Sequence, residues 1–151
     1  MGCVRLSERF LKHDPPAVDD LKEMLKFVDG MIADTIGSIK NIGITIVIAT
    51  AGTATNLSAM NMGLLKYDPK AVHMSKVNLN FIERQFKKLS SMTAKQRKQV
   101  IGLEPARADV IVGGIAVIMR TLEMLGRDEI IVSEKDILDG IILELLDCNR
   151  Q

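Results

Sequence analysis

Tryptophan is absent, and aromatic residues make up only 3% of the 151, which removes the stacking surface that single-stranded nucleic acid needs. Charge of one sign is missing too. With 20 Lys+Arg against 19 Asp+Glu, no global field recruits nucleic acid or an anionic membrane. Cysteine is confined to Cys3 and Cys148, at opposite ends and without close-spaced partners, a pattern that fits neither a metal clip nor a disulfide framework. Both thiols are expected to be reduced. No apolar run approaches the ~20 residues that span a bilayer, and no charged-then-apolar leader occupies the N-terminus. The expectation is a soluble cytoplasmic protein. His13 and His73 stand alone, without partners at metal-ligand or triad spacing, and are expected on the surface. No repeat, low-complexity tract or Pro/Gly/Ser linker divides the chain, so residues 1–151 are read as one domain.

What the chain has is 47% hydrophobic residues, enough to fill a core, in alternating strand and helix patterns. Cys3–Leu6 predicts a short strand and Ser7–Asp14 a polar exit, with Asp14, Pro15 and Pro16 as the cap and first turn of a helix. From Val18, residues Leu21, Leu25, Val28, Ile32, Ile36 and Ile39 form one stripe of a long amphipathic helix. "ITIVIAT", Ile44–Thr50, is a β-branched run without polar alternation and predicts a strand buried on both faces. Thr53–Leu65 predicts a helix, Ala71–Val77 an edge strand, and Asn78 the cap of a helix reaching Leu89. Thr93–Val100 predicts a short helix, Pro105 the first turn of a long one, Glu129–Ser133 a strand, and Asp136–Leu146 a final helix. Strands separated by helices indicate an α/β fold with a mixed central sheet covered by helices.

Two places carry chemistry. The strand that breaks at Gly52 and restarts as a helix at Thr53 points free N–H groups from the carboxyl edge of the sheet, where an anion or nucleotide is favoured. Gly52 admits close backbone approach, and Thr53 and Thr55 add hydroxyls. A plain strand-to-helix turn accounts for the same residues. Neither a P-loop nor a dinucleotide fingerprint is present. The second place is Arg107, at the lip of a buried helix, where its planar fork suits phosphate oxygens; an ion pair with Glu104, Asp109 or a neighbouring loop accounts for it equally. Gly113-Gly114 in mid-helix suggests close approach of another element. "KKLSSMTAKQRKQ", Lys87–Gln99, is a basic stretch that reads either as a polyanion contact or as solvated helix faces.

In order along the chain, "MGCVRLSERFL", "IATAGTATNLSAM", "GLEPARADVIVGGIAVI" and "VSEKDILDGIILELL" resemble the exopolyphosphatase/guanosine pentaphosphate phosphohydrolase (Ppx/GppA) family. The resemblance covers nearly the whole chain. It implies the ribonuclease-H-like fold shared with actin and the sugar kinases, in which two α/β domains enclose a phosphate-binding cleft. This chain resembles the second domain, without its first strand and its partner domain, and Met1 falls where the family has an interior residue.

The resemblance implies ligand contact at Gly52, Thr53 and Arg107. Ala51 stands where Gly or Ser is usual, Pro105 and Ala106 replace an acidic stretch, and Asp139 replaces an Arg. The implied reaction is Mg²⁺-assisted hydrolysis of a terminal phosphoanhydride in inorganic polyphosphate or guanosine pentaphosphate, with the catalytic carboxylates in the absent half. A non-catalytic nucleotide- or alarmone-binding module, and a regulatory ATPase or kinase relative, are the competing readings. The uncovered sheet edge implies self-association, so a homo-oligomer is expected.

Overall fold

The computed structural model describes residues 2–148, without the side chains of 147 and 148; the expectations for Met1 and for the Cys148 thiol lie outside the described residues. Leu6 and Phe10 fall one helical turn apart, and Cys3–Phe10 forms helix α1, where a strand was expected. Tertiary packing overrides the local pattern. Leu6 is fully buried, and Gly113 allows α1 so close that a Cβ there would stand 3.0 Å from Ser7 Oγ. The Arg9 guanidinium, lying over the rings of Phe10 and Phe27 at 5.1 and 4.5 Å, closes the outer side. The Cys3 thiol is free.

The predicted apolar stripe forms helix α2, Val18–Ile39, which buries Met24, Val28 and Ile36. Its start differs from the expectation at Asp14. The Asp20 carboxylate reaches back to the N–H groups of Ala17, Lys12 and His13 at 3.2–3.3 Å, so α2 is closed from within. Asp14 instead accepts a 2.8 Å hydrogen bond from Ala94 N–H, at the start of a later helix.

Strand β1 is Ile48–Thr50, a much shorter strand than Ile44–Thr50. With β2, Lys76–Asn78, and β3, Glu129–Ser133, it forms a mixed sheet in the order β1-β3-β2, with β1 parallel and β2 antiparallel to β3. Burial on both faces does not hold for β1. Val47 and Ala49 pack on the core, whereas Ile46 and Ile48 are 59% and 60% exposed, because β1 is an edge strand covered on one side.

Helix α3, Ala51–Met62, follows β1 directly and lies on the sheet. The expected Ala71–Val77 strand divides: Asp68 caps the short helix α4, Pro69–Val72, and only β2 pairs with the sheet. Asn78 caps helix α5, Leu79–Ser90, through a 2.8 Å bond from Phe81 N–H, as its position predicts. Thr93 and Gln96 form a capping box around α6, Ala94–Arg97.

Helix α7, Ile111–Leu125, is the hub, packing against α1, α2, α3 and α5. Ile111, Val112, Ile115, Ala116 and Leu122 are buried along it, with Met119 close behind. The predicted long helix does not run continuously from Pro105; Pro105–Arg107 is a single 3-10 turn, and α7 begins four residues after Arg107. Helix α8, Ile137–Cys148, ends the described chain.

Candidate anion-binding site

The turn after β1 is built on Ala51, which holds a left-handed φ of +67° and swings the chain straight into α3. That conformation favours glycine, so the side chain at Ala51 is held against its intrinsic preference. Thr50 gives no side-chain cap to the first turn, which leaves the leading N–H groups of α3 for a ligand or water.

Gly52 comes next, and Arg107 lies on top of it. A Cβ built on Gly52 would overlap Arg107 Cζ and stand 2.8 Å from its Nε, so the absent side chain is what admits the guanidinium. Arg107 is 39% exposed, and its nearest carboxylate is Glu104, 3.6 Å away. Of the three ion-pair accounts for Arg107, Glu104 is the one formed. That pair is long and open to water, so it leaves the fork available to an anion.

A cavity of about 520 Å³ opens beside this pair, lined in part by Gly52, Thr55, Asn56, Tyr67, Glu104 and Arg107. Its deeper wall is apolar, from Ala59, Leu64 and Leu103. Thr53 lies apart from it. The Thr53 side chain faces Gly114 on α7, where an added Cβ would overlap its Oγ1 and stand 2.8 Å from Cγ2. Gly52 and Arg107 are therefore brought together, and Thr53 is not among the residues that line the cavity. Gly113 and Gly114 serve close approach, one to α1 and the other to α3.

Several residues that shape the site were not singled out from sequence. Asn56 is buried and bridges two segments, donating from Nδ2 to Gly52 C=O at 2.7 Å and accepting at Oδ1 from Glu104 N–H at 2.6 Å. It fixes the Arg107 loop to α3. Its signal was available as a polar residue one turn beyond Gly52 on an otherwise apolar helix face. Arg97, only 2% exposed, donates from Nε to Leu89 C=O at 2.8 Å and from Nη1 to Ala108 C=O at 3.0 Å. The Arg97–Ala108 bond ties the turn between Pro105–Arg107 and α7 to the end of α5. Burial lowers the Arg97 pKa, against the opposing pull of Asp14 and Asp109. The basic stretch Lys87–Gln99 is thus split, since one of its cations is internal.

Tyr67 closes the outer rim through a short hydrogen bond from its hydroxyl to Glu134 Oε1. Burial, then that bond, pushes its pKa up to about 12. His73 Nδ1 accepts from Glu134 N–H at 3.2 Å, while His13 Nδ1 lies 2.9 Å from the Asp20 carboxylate, so both histidines pair locally. Asp139 accepts hydrogen bonds from Asp136 N–H and Lys135 Nζ, each at 3.0 Å, and those bonds hold its carboxyl below the usual range.

Among the described residues no group of three His, Cys, Asp or Glu is placed to hold a metal ion. Glu104 faces Arg107, and Glu134 faces Tyr67. These residues do not by themselves fit the Mg²⁺ that the resemblance implies. Among the described residues no helix is long and apolar enough to cross a membrane.

Comparison with known proteins agrees with the fold. The Ppx/GppA phosphatase family model matches residues 1–149. Exopolyphosphatase 2 of Mycobacterium tuberculosis is 38% identical over 149 residues, covering 96% of this chain and 47% of that protein. A bifunctional 3-dehydroquinate synthase/phosphatase of Fusobacterium nucleatum is 30% identical, over 95% of this chain and 22% of that protein. The solved Aquifex aeolicus Ppx/GppA family member superposes with a TM-score of 0.85 at 26% identity, over 99% of this chain and 48% of that one. An exopolyphosphatase from Cytophaga hutchinsonii gives 0.82 at 26% identity, over 97% and 48%. The chain therefore spans about half the length of its exopolyphosphatase relatives. With the strand-to-helix turn, the mixed sheet and the match over residues 1–149, the chain belongs to the Ppx/GppA phosphatase family and has its α/β, ribonuclease-H-like fold.

Proposed function

We propose that this chain is one wall of a phosphoanhydride hydrolase that releases terminal phosphate from inorganic polyphosphate, and from guanosine pentaphosphate where the cavity admits a nucleoside. The observation that carries this reading is the Arg107 guanidinium seated on Gly52 at the uncapped start of α3. A planar cation and a row of N–H groups meet there, which suits the oxygens of a polyanion.

In the reaction, water oxygen bonds to the terminal phosphorus while the bridging P–O bond breaks. Orthophosphate leaves, and the shortened chain keeps the bridging oxygen. Arg107 and the α3 N–H groups hold phosphate oxygens and offset charge as it develops. Asn56 and Arg97 keep the Arg107 loop in place. Mg²⁺, when bound, supplies further charge stabilisation through ligands outside these residues. The carboxylate that orients water is likewise assigned to the other half of a family-length protein, in a cytoplasmic setting.

Phosphoryl transfer needs several loops at once, so the 151-residue chain alone is expected to be inactive. The test is phosphate release from polyphosphate and guanosine pentaphosphate with Mg²⁺, by this chain alone and by a family-length protein completed with the half that is missing here. Turnover only in the completed protein supports the reading; turnover by a clean monomer of this chain, or by neither, contradicts it. The apolar depth formed by Ala59, Leu64 and Leu103 favours a second reading, a module that binds guanosine tetraphosphate without cleaving it. Titration of that nucleotide with and without Mg²⁺, followed by analysis for released phosphate, separates the two.

A further inference from the structure

Arg84, Lys87, Lys88, Lys95, Arg97 and Lys98 lie in a stretch that runs on to Leu103 without one Asp or Glu. Only Arg97 turns inward; the others are exposed. Asp14, which approaches from outside the stretch to 3.9 Å, and Asp109 both act on that internal Arg97. Among the described residues Lys87, Lys88, Lys95 and Lys98 have no ion pair. Solvated faces elsewhere in the fold mix signs, with Lys22 against Asp19 on α2 and Lys135 against Asp139 at the start of α8. These four lysines instead make a surface of one sign.

The fold sets that surface beside the cavity. β2 runs antiparallel to β3, so α5 starts from the amino end of β3 and returns along α7 toward the carboxyl edge of the sheet, where Gly52 carries Arg107. Arg97 fixes the join, bonding Leu89 C=O at the end of α5 and Ala108 C=O beside Arg107. Lys98 then stands four residues from Gly102, at most about 14 Å of chain, and Gly102 lines the cavity. We infer that Lys87, Lys88, Lys95 and Lys98 form a track for the tail of an inorganic polyphosphate chain whose end lies against Arg107. The occupant follows from charge and shape. Like charges held one helical turn apart repel, as at Lys95 and Lys98, and a polyanion laid across them relieves that cost. Nucleic acid would call for a stacking platform as well, but Phe81 and Phe86 of α5 pack against the core. A bare phosphate chain has no base to stack and needs only the compact point charges that lysine supplies. The inference rests on the hydrolase reading of the cavity, and it adds to that site a preference for long chains over short ones.

The experiment titrates long-chain polyphosphate and tripolyphosphate into the unaltered chain, into a variant combining Lys87→Gln, Lys88→Gln, Lys95→Gln and Lys98→Gln, and into Arg107→Gln. Tripolyphosphate is short enough to lie within the cavity of about 520 Å³. The four-lysine variant should bind the long chain about tenfold or more weakly, with a flatter salt dependence, and tripolyphosphate as before. Its melting temperature should not fall, because exposed like charges are removed and no ion pair is broken. Arg107→Gln should weaken binding of both ligands. Unchanged long-chain affinity in the four-lysine variant overturns the inference, and so does an equal loss for the two ligands. Duplex DNA that displaces the long chain as readily as polyphosphate of the same total charge would assign the track to nucleic acid and overturn it as well. Failure of the hydrolase reading looks different. Long-chain binding that needs the lysines, while Arg107→Gln changes the affinity of neither ligand, counts for the track and against the cavity.

Discussion

At the scale of single residues, the site is set by conformations and contacts that each make a measurable claim. Ala51 occupies a left-handed turn that favours glycine. Replacing a side chain that disfavours this φ outweighs the extra backbone freedom glycine brings to the unfolded state, so Ala51→Gly should raise stability by up to about 1 kcal/mol. Thermal or urea unfolding checks this; a loss of stability would show that the turn is not under strain. Tyr67 is the only tyrosine in a chain without tryptophan, so its phenolate absorbance is unobscured. It should titrate near 12, and Glu134→Gln should bring the midpoint down by replacing a charged acceptor with a neutral one. Its folded pKa lies above the ordinary value of 10.0, so the associated stability is present below pH 10 and is lost as pH rises through about 12. A midpoint at 10 in the native protein would contradict the Tyr67–Glu134 contact.

At the scale of elements, α7 is held at short range by two adjacent glycines, Gly113 against α1 and Gly114 against Thr53 of α3. Thr53 is β-branched and stiff, so it cannot swing away from an added methyl at Gly114 as a long side chain would. Gly114→Ala should therefore destabilise the protein by about 1–3 kcal/mol, read as a lower unfolding midpoint, despite alanine's better helix propensity. A rise in the midpoint would sink this account of the helix contact. Gly52→Ala should be milder, because the Arg107 guanidinium it displaces is the end of a flexible side chain.

Much of this layer was legible in the sequence. The 3.6-residue stripe of α2, the Asn78 cap, the β3 strand and the closeness implied by Gly113-Gly114 follow from periodicity and local chemistry. The misreadings have a common cause in distant partners. Cys3–Phe10 is helical because Leu6 and Ser7 meet Gly113 across the fold. Ile44–Thr50 reads as a buried strand, yet only the last part pairs, since an apolar run cannot report whether a second sheet neighbour exists. The turn before α7 is held by Arg97, a buried cation whose bond to Ala108 C=O no local periodicity reports. In the site, Gly52 and Arg107 could be named separately, but their superposition could not, and the Asn56 bridge that enforces it is a long-range contact.

At the scale of the whole molecule, the chain is a helix-covered mixed sheet that leaves one edge of β1 and the apolar residues of α8 exposed, and the proposed function makes it one side of a phosphate-binding cleft. Its central claim is that Arg107, seated on Gly52, is the phosphate-binding cation of this wall. Arg107 is partly exposed, and among the described residues its one ion pair is the open contact with Glu104, so removing its charge should leave the fold intact. The decisive measurement is calorimetric titration of inorganic polyphosphate into the protein and its Arg107→Gln variant, at matched salt and with melting temperatures recorded. The loss of charge-assisted bonds predicts affinity about tenfold to 100-fold weaker in the variant, with an unchanged melting temperature. Equal affinity in the two proteins would contradict the account.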